Sequence, residues 1–392
     1  MQCGYFEAGL CHSCTLLPTP YERQLADKDA KVRRALTEFG TPDLQWLAPA
    51  ASHQRDFRSK VKLVAGGTPL NMRLGILGAD LNVQDLRDCP IVVPAIRDQL
   101  PRLARLIERM RIEPYSVKRR RGDLKYVIVT AGDDRQLMVR FVLRSRRHMS
   151  TLRTHLDAIR QAVPTIRVVT ANIHPTHAAL VEGPDEYVLT DEVTLPMTVG
   201  RTRLQVGPRS FTQTNTRVAS ALYMQVASWL TDVDARSVWD LYCGVGGFAL
   251  NAAAAGVQDV TGVEISGDAV EAAKNAAQHL EVAARRVRTR FIAADATKWA
   301  REQSERTVPD AIVVNPPRRG LGEELATWLN GCGAHHIVYS SCNPATLVED
   351  LAHMPSYQVS QGRIFDMFAH THHVECAVLL EHIKGEGLLD IR

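Results

Sequence analysis

An α/β protein is what the sequence predicts: a C-terminal half built as a mostly parallel, doubly wound sheet, preceded by a cysteine-bearing segment and a smaller α+β unit. Three observations predict it. After residue 206, short β-branched runs alternate with helix-length stretches, the pattern that folds into parallel strands with helices on both faces. A glycine-rich turn follows the first of those runs. Four of the eight cysteines, meanwhile, fall within residues 1–90.

The elements are read in chain order. Residues 1–90 open on "MQCGYFEAGLCHSC" and continue into a charged helical stretch, Tyr21 to Phe39. Residues 91–205 form the central unit, with helical periodicity over Ile96 to Met110 and strands over Tyr126 to Thr130 and Leu137 to Leu143. A turn-rich stretch, Thr198 to Pro208, marks the boundary to residues 206–392. Strands are expected there at Ser237–Tyr242, Val260–Glu264, Thr289–Ala293, Ala311–Asn315 and His336–Ser341.

With 392 residues, 45% hydrophobic and 23% charged, the chain has the material of a soluble two- or three-domain enzyme. It contains no apolar run of eighteen residues and no signal-peptide pattern, so a cytoplasmic protein with no membrane partner is expected. Nothing implies an obligate protein partner. Cysteines in such a chain point to thiol or metal chemistry rather than a disulfide framework. The net charge of +4 hides an uneven distribution: Pro101 to Arg147 holds fourteen Lys/Arg against five Asp/Glu. "KRRRGDLK" and "RSRR" lie in this segment, and "RDFRSKVK" precedes it. Such an excess, interleaved with strands, suggests a phosphate-binding surface.

"VWDLYCGVGGFAL" (Val238 to Leu250) reads as strand, glycine turn and helix start, a ligand-binding frame. Gly244, Gly246 and Ala249 fit a dinucleotide pattern, with Glu264 twenty residues beyond Gly244. An acid there binds ribose hydroxyls in NAD and in S-adenosylmethionine alike. The fourth strand discriminates, because it ends in "VVNPPRRG": an Asn-Pro-Pro loop suits methyltransferases acting on planar nitrogenous groups, and dehydrogenases have no need of it. Asp295 has two readings, a contact to the adenine amino group or a helix N-cap. Finally, "IVYSSCNPAT" carries a thiol, Cys342, where a strand opens into a loop, and the carboxyl ends of such strands bind ligands.

Three stretches together resemble the RNA (uracil-5-)-methyltransferases: "NPPRRG" followed by "IVYSSCNPAT", then "FDMFAHTHHVE" (Phe365 to Glu375), with "SFTQTN" (Ser210 to Asn215) upstream. The N-terminal cysteines and "DLRDCP" extend the resemblance over nearly the whole chain. It implies a Rossmann-like class I methyltransferase domain over 206–392, S-adenosylmethionine as cofactor and 5-methyluridine as product. No extra β-barrel precedes the cysteines, which points to the branch of the family that modifies 23S ribosomal RNA. Ala369 stands where the second motif usually has proline, an expected loosening of the loop that presents Glu375, and Tyr242 replaces the commoner Phe.

The chemistry explains the residue types. C5 of uracil is a poor nucleophile until a thiolate adds to C6, so covalent catalysis splits a hard step into easier ones. The resemblance implies Cys342 as nucleophile and Glu375 as the base that removes the C5 proton. It also implies Gln213, Tyr242, Gly244, Glu264 and Asn315 as cofactor contacts. Arg318 either holds the uracil or its phosphate or makes a structural ion pair. Phe211 either stacks on a base or packs in the core. Cys3, Cys11, Cys14 and Cys89 are four soft ligands; the resemblance implies a [4Fe–4S] cluster, while zinc is the alternative that the residues themselves leave open. Cys243, Cys332 and Cys376 are read as packing. An amino-methyltransferase on adenine or guanine is disfavoured by Arg318 and Cys342.

Overall fold

The computed structural model describes residues 1–280, 287–303 and 308–383. The strands, in chain order, are β1 (Gly40–Trp46), β2 (Lys60–Thr68), β3 (Asn71–Leu77), β4 (Val83–Asp85), β5 (Leu124–Ala131), β6 (Leu137–Leu143), β7 (Ile166–Ile173) and β8 (Asp185–Val188). After the hairpin β9 (Leu195–Val199) and β10 (Thr202–Val206) come β11 (Ser237–Leu241), β12 (Asp259–Glu264), β13 (Arg288–Ala293), β14 (Ala311–Val314), β15 (His336–Ser341), β16 (Tyr357–Phe365) and β17 (Glu375–His382). They form an eight-stranded sheet, β1-β16-β17-β15-β14-β11-β12-β13, a seven-stranded sheet, β4-β3-β2-β5-β6-β7-β8, and the hairpin.

The larger sheet is the doubly wound unit. β11, β14 and the inner part of β15 are buried on both faces, as parallel strands covered by helices on both sides must be. Two antiparallel pairings, β15 with β17 and β17 with β16, interrupt the parallel order near its other edge. These strands decide where the chemistry sits.

Residues 1–90 do not form a unit of their own. β1 pairs in parallel with β16, and Val32 and Leu36 of the helix Tyr21–Leu36 join the core of the eight-stranded sheet. β2, β3 and β4 instead belong to the seven-stranded sheet. The expected boundary near 198–208 also shifts, because Met197, Val199, Leu204 and Val206 of the hairpin pack with Leu222 and Leu250 of the C-terminal core. The physical reason is that sheet membership is set by long-range pairing, β1 with β16 near the other end of the chain and β2 with β5, which no local pattern records. Likewise the helix expected over Ile96 to Met110 is two, Pro94–Arg97 and Leu100–Arg109. Pro94 and Pro101 both sit in the first turn of their helix, where a missing N–H costs nothing.

Candidate active site

Five loops meet at the carboxyl ends of the parallel strands. β15 delivers Cys342 one residue beyond Ser341, half-buried. The loop is braced: the Asn343 amide donates to Ser341 Oγ at 3.1 Å, and Asn343 caps the helix Pro344–Ala352. Asn343 Nδ2 also donates to the Arg318 carbonyl at 3.2 Å, tying the thiol loop to the Asn-Pro-Pro-Arg loop after β14.

Glu375 reaches the same place from the antiparallel side. Ser341, the last residue of β15, pairs with Cys376, and Glu375 and Cys342 each stand next to that pair. Ser340 Oγ donates to Glu375 Oε1 at 2.8 Å. Glu375 is 1% exposed. Burial lifts its carboxyl from the ordinary 4.5 to about 7, with the Ser340 bond acting in the opposite direction. The Cys342 thiol is also pushed up, by burial first and then by the Glu375 charge, while Arg318 pulls it down. The Cys342 thiol therefore feels the charges of both Glu375 and Arg318.

Arg318 meets His373 Nδ1 at 3.3 Å through Nη2, and no carboxylate lies within bridging distance of it among the described residues. Of its two readings, the structural ion pair is absent there. Glu375 likewise has no ion-pair partner among the described residues. Phe211 is 72% exposed, which removes it from the core. It belongs to the loop Ser210–Asn215, strapped down where Ser59 donates its amide to the Thr214 carbonyl at 2.7 Å and Lys60 Nζ donates to the Ser210 carbonyl at 3.2 Å. Gln213 in that loop is buried at 8% exposure.

The glycine loop runs Tyr242 to Gly246. Tyr242 itself has a φ of 70°, an unusual left-handed conformation for a bulky residue, and Gly246, at a φ of 86°, opens the helix Gly247–Ala254. Glu264 at the end of β12 accepts from the Gly244 amide at 3.1 Å and from the Ser266 amide at 2.9 Å, so it shapes the loop. Asp295 is an N-cap, accepting from the Lys298 amide at 2.9 Å. Asn315 follows β14, half-buried. Sequence reasoning missed Asp240, fully buried in β11, with one oxygen accepting from the Ala249 amide at 2.9 Å and the other without a partner among the described residues. Burial raises it to about 7. Its signal was an aspartate inside an apolar strand. It also missed Ser340, and the helix Tyr21–Leu36 as a clamp: Lys28 Nζ donates to Asp366 at 2.6 Å and Tyr21 to its other oxygen at 2.7 Å. Gln24 Oε1 accepts from the His370 amide at 3.1 Å.

Cys3, Cys11, Cys14 and Cys89 line one small cavity with Tyr5 and Phe6. The thiols sense one another: burial, and then Cys89, Cys11 and Cys3, push Cys14 up to about 12, while Arg58 acts against them. Among the described residues no three His, Cys, Asp or Glu are gathered closely enough to hold a single metal ion.

A sheet of this order with a glycine loop after its first parallel strand defines a class I methyltransferase fold. Residues 189–383 match the family model described as tRNA (Uracil-5-)-methyltransferase. The 23S rRNA (uracil(747)-C(5))-methyltransferase RlmC of Escherichia coli O139:H28 is 38% identical over 97% of this chain and 99% of its own. The enzyme of the same name from Salmonella enteritidis PT4 is 39% identical over 98% of this chain and 100% of its own. Among solved structures, the Pyrococcus abyssi tRNA (uracil-54, C5)-methyltransferase, crystallised with S-adenosyl-L-homocysteine, superposes with a TM-score of 0.75 at 25% identity, over 94% of this chain and 85% of that one. The chain belongs to the RNA uracil-5-methyltransferase family.

Proposed function

We propose that the protein methylates C5 of a uridine in 23S ribosomal RNA, giving 5-methyluridine, as the names of its full-length relatives suggest. The observation that supports the mechanism is that a buried carboxylate, Glu375, and the half-buried thiol of Cys342 both stand next to the Ser341–Cys376 strand pair. Cys342 adds as thiolate to C6, and the C5–C6 double bond becomes an enolate with carbanion character at C5. Bound S-adenosylmethionine supplies the electrophilic methyl group and leaves as S-adenosylhomocysteine. Glu375 then takes the C5 proton, the double bond re-forms, and the thiolate leaves C6. A carboxyl lifted to about 7 is a strong enough base for this and is still substantially ionised at neutral pH. Arg318 steadies the Cys342 thiolate and orients the uracil, and Phe211 stacks on a neighbouring base.

Gln213, Tyr242, Gly244, Glu264, Asp295 and Asn315 hold the cofactor, Glu264 combining ribose recognition with its hold on the Gly244 amide. The four N-terminal cysteines, which line one cavity, would hold a [4Fe–4S] cluster through their thiolates. Such a cluster would tie residues 3–14 to Cys89 and supply a structural anchor. Mapping 5-methyluridine in 23S ribosomal RNA, from cells with and without the protein, tests this function. A methyl group missing from one ribosomal uridine in cells without the protein supports it, and an effect on transfer RNA alone contradicts the substrate assignment.

A further inference from the structure

The seven-stranded sheet offers a second surface, lined by none of the four N-terminal cysteines. One face carries Val61, Leu63, Val127 and Val129 into a core with the helix Leu100–Arg109. By the two-residue period of a strand, Lys60, Lys62 and Val64 of β2 look the other way. Val64 pairs with Tyr126 of β5, and the register shift between Leu124 and Tyr126 lets both Lys125 and Tyr126 reach one hollow. There Tyr115, Val117, Lys125, Tyr126, His177 and Leu77 line a cavity of about 370 Å³, within the roughly 300–1,000 Å³ typical of small-ligand sites.

Its chemistry is that of a nucleotide site. Lys125 Nζ stands 5.0 Å from the Tyr115 ring centre, and Tyr115 Oη meets His177 Nδ1 at 2.8 Å, so one tyrosine is fully engaged by the protein. Tyr126 is half-buried and remains available as a wall. Lys118, Arg119, Arg120 and Arg121 follow Val117 directly, all exposed, and supply a cationic rim. Acidic groups nearby are partly answered: Glu182 pairs with Lys62 at 3.4 Å and with the buried Arg140 at 3.1 Å. At the other end of the lysine row, Lys60 holds the Ser210 carbonyl beside the exposed Phe211. A cation-lined row thus joins this hollow to the loop that borders the methyl-transfer cleft.

We propose that the cavity binds one unstacked nucleotide of the RNA substrate, separate from the uridine that is methylated. Its base stacks on Tyr126 and its phosphate lies on the Arg119–Arg121 rim. Sheet faces that set aromatic rings among cations recognise splayed single-stranded bases in this way. The proposal rests on the RNA-methylating reading above.

The test measures binding of the full-length protein to a stem-loop transcript of the methylated 23S region at several salt concentrations. Tyr126→Ala is expected to weaken binding roughly tenfold or more, the effect of removing one stacked base, with the salt slope unchanged. Tyr126→Phe keeps wild-type affinity, and His177→Ala, at an exposed position, reports on the same cavity should Tyr126→Ala fold poorly. The KM for RNA rises in the weakened variant while kcat and S-adenosylmethionine affinity hold. Wild-type RNA affinity in both Tyr126→Ala and His177→Ala, with methylation intact, overturns this pocket but leaves the enzymatic reading standing. A wild-type protein that neither binds nor methylates the transcript overturns both.

Discussion

In the proposed mechanism Glu375 and Cys342 are the pair on which the chemistry turns, and burial raises the pKa of both. The folded protein holds the Glu375 proton up to about pH 7, whereas an unfolded chain releases it near 4.5. Between those values the folded state binds more protons, so this residue's contribution to stability falls as pH rises through the window and stays lost above it. Glu375→Gln removes that penalty: unfolding at pH 8 is expected to cost up to about 3 kcal/mol more than in the wild type, and about the same as the wild type at pH 4. Urea titrations at the two pH values measure it. The same variant keeps its nucleophile, so with unmodified RNA it is expected to accumulate a methylated covalent adduct that denaturing gels detect. In the wild type, release of that adduct slows as pH drops below about 7, because the ionised base becomes scarce. Adduct formation keeps rising above neutrality, because burial and the Glu375 charge raise the Cys342 thiol.

At the scale of elements, the loop from Asp366 to Val374 decides how Glu375 is aimed. Ala369, in place of proline, was expected from the sequence to loosen it. Instead Ala369 is buried and the loop is gripped from the helix Tyr21–Leu36 by Lys28, Tyr21 and Gln24, the Lys28–Asp366 pair being almost wholly inaccessible at 5% and 1% exposure. Removing one partner strands the other charge, so Lys28→Met is expected to cost about 3–5 kcal/mol of stability. Its kinetic signature is a slower release of the covalent adduct with adduct formation less affected, which single-turnover assays separate. None of this clamp was legible in the sequence, because a lysine and an aspartate 338 residues apart in the chain carry no local pattern. The parallel strands were legible for the opposite reason. Runs such as "AIVV" and "HIVYSS" are buried on both faces and therefore almost continuously apolar or small. β1 and β8, edge strands with exposed positions, left no such trace.

Across the whole molecule, the chain threads its N-terminus between the two sheets' territories. β1 closes the edge of the larger sheet, β2 enters the smaller one, and Cys3, Cys11, Cys14 and Cys89 line one cavity. Under the proposed cluster, anaerobically purified wild-type protein is expected to carry iron, and Cys89→Ser to lose it and to be cut faster by protease near its N-terminus; metal analysis and limited digestion read both. The basic stretch around Lys118–Arg121 was visible as composition, but the tyrosine-lined cavity beside it depends on strand register and stayed hidden. Neutralising Arg119, Arg120 and Arg121 together is expected to make RNA binding less salt-dependent, by up to roughly 0.7–0.9 log units of slope for each phosphate that no longer meets a cation, with S-adenosylmethionine binding unchanged. In the cleft, motifs and strand ends pointed to Cys342 and Glu375, yet their nearness depends on the antiparallel register of β15 and β17, where both stand next to the Ser341–Cys376 pair. A target RNA carrying 5-fluorouridine probes that juxtaposition most directly, since fluorine at C5 cannot be abstracted as a proton. Incubated with S-adenosylmethionine, the wild type is expected to form a denaturant-stable, methylated protein–RNA adduct whose cross-linked peptide contains Cys342. An equal yield of adduct from Cys342→Ala, or a cross-link at another residue, would contradict the assignment.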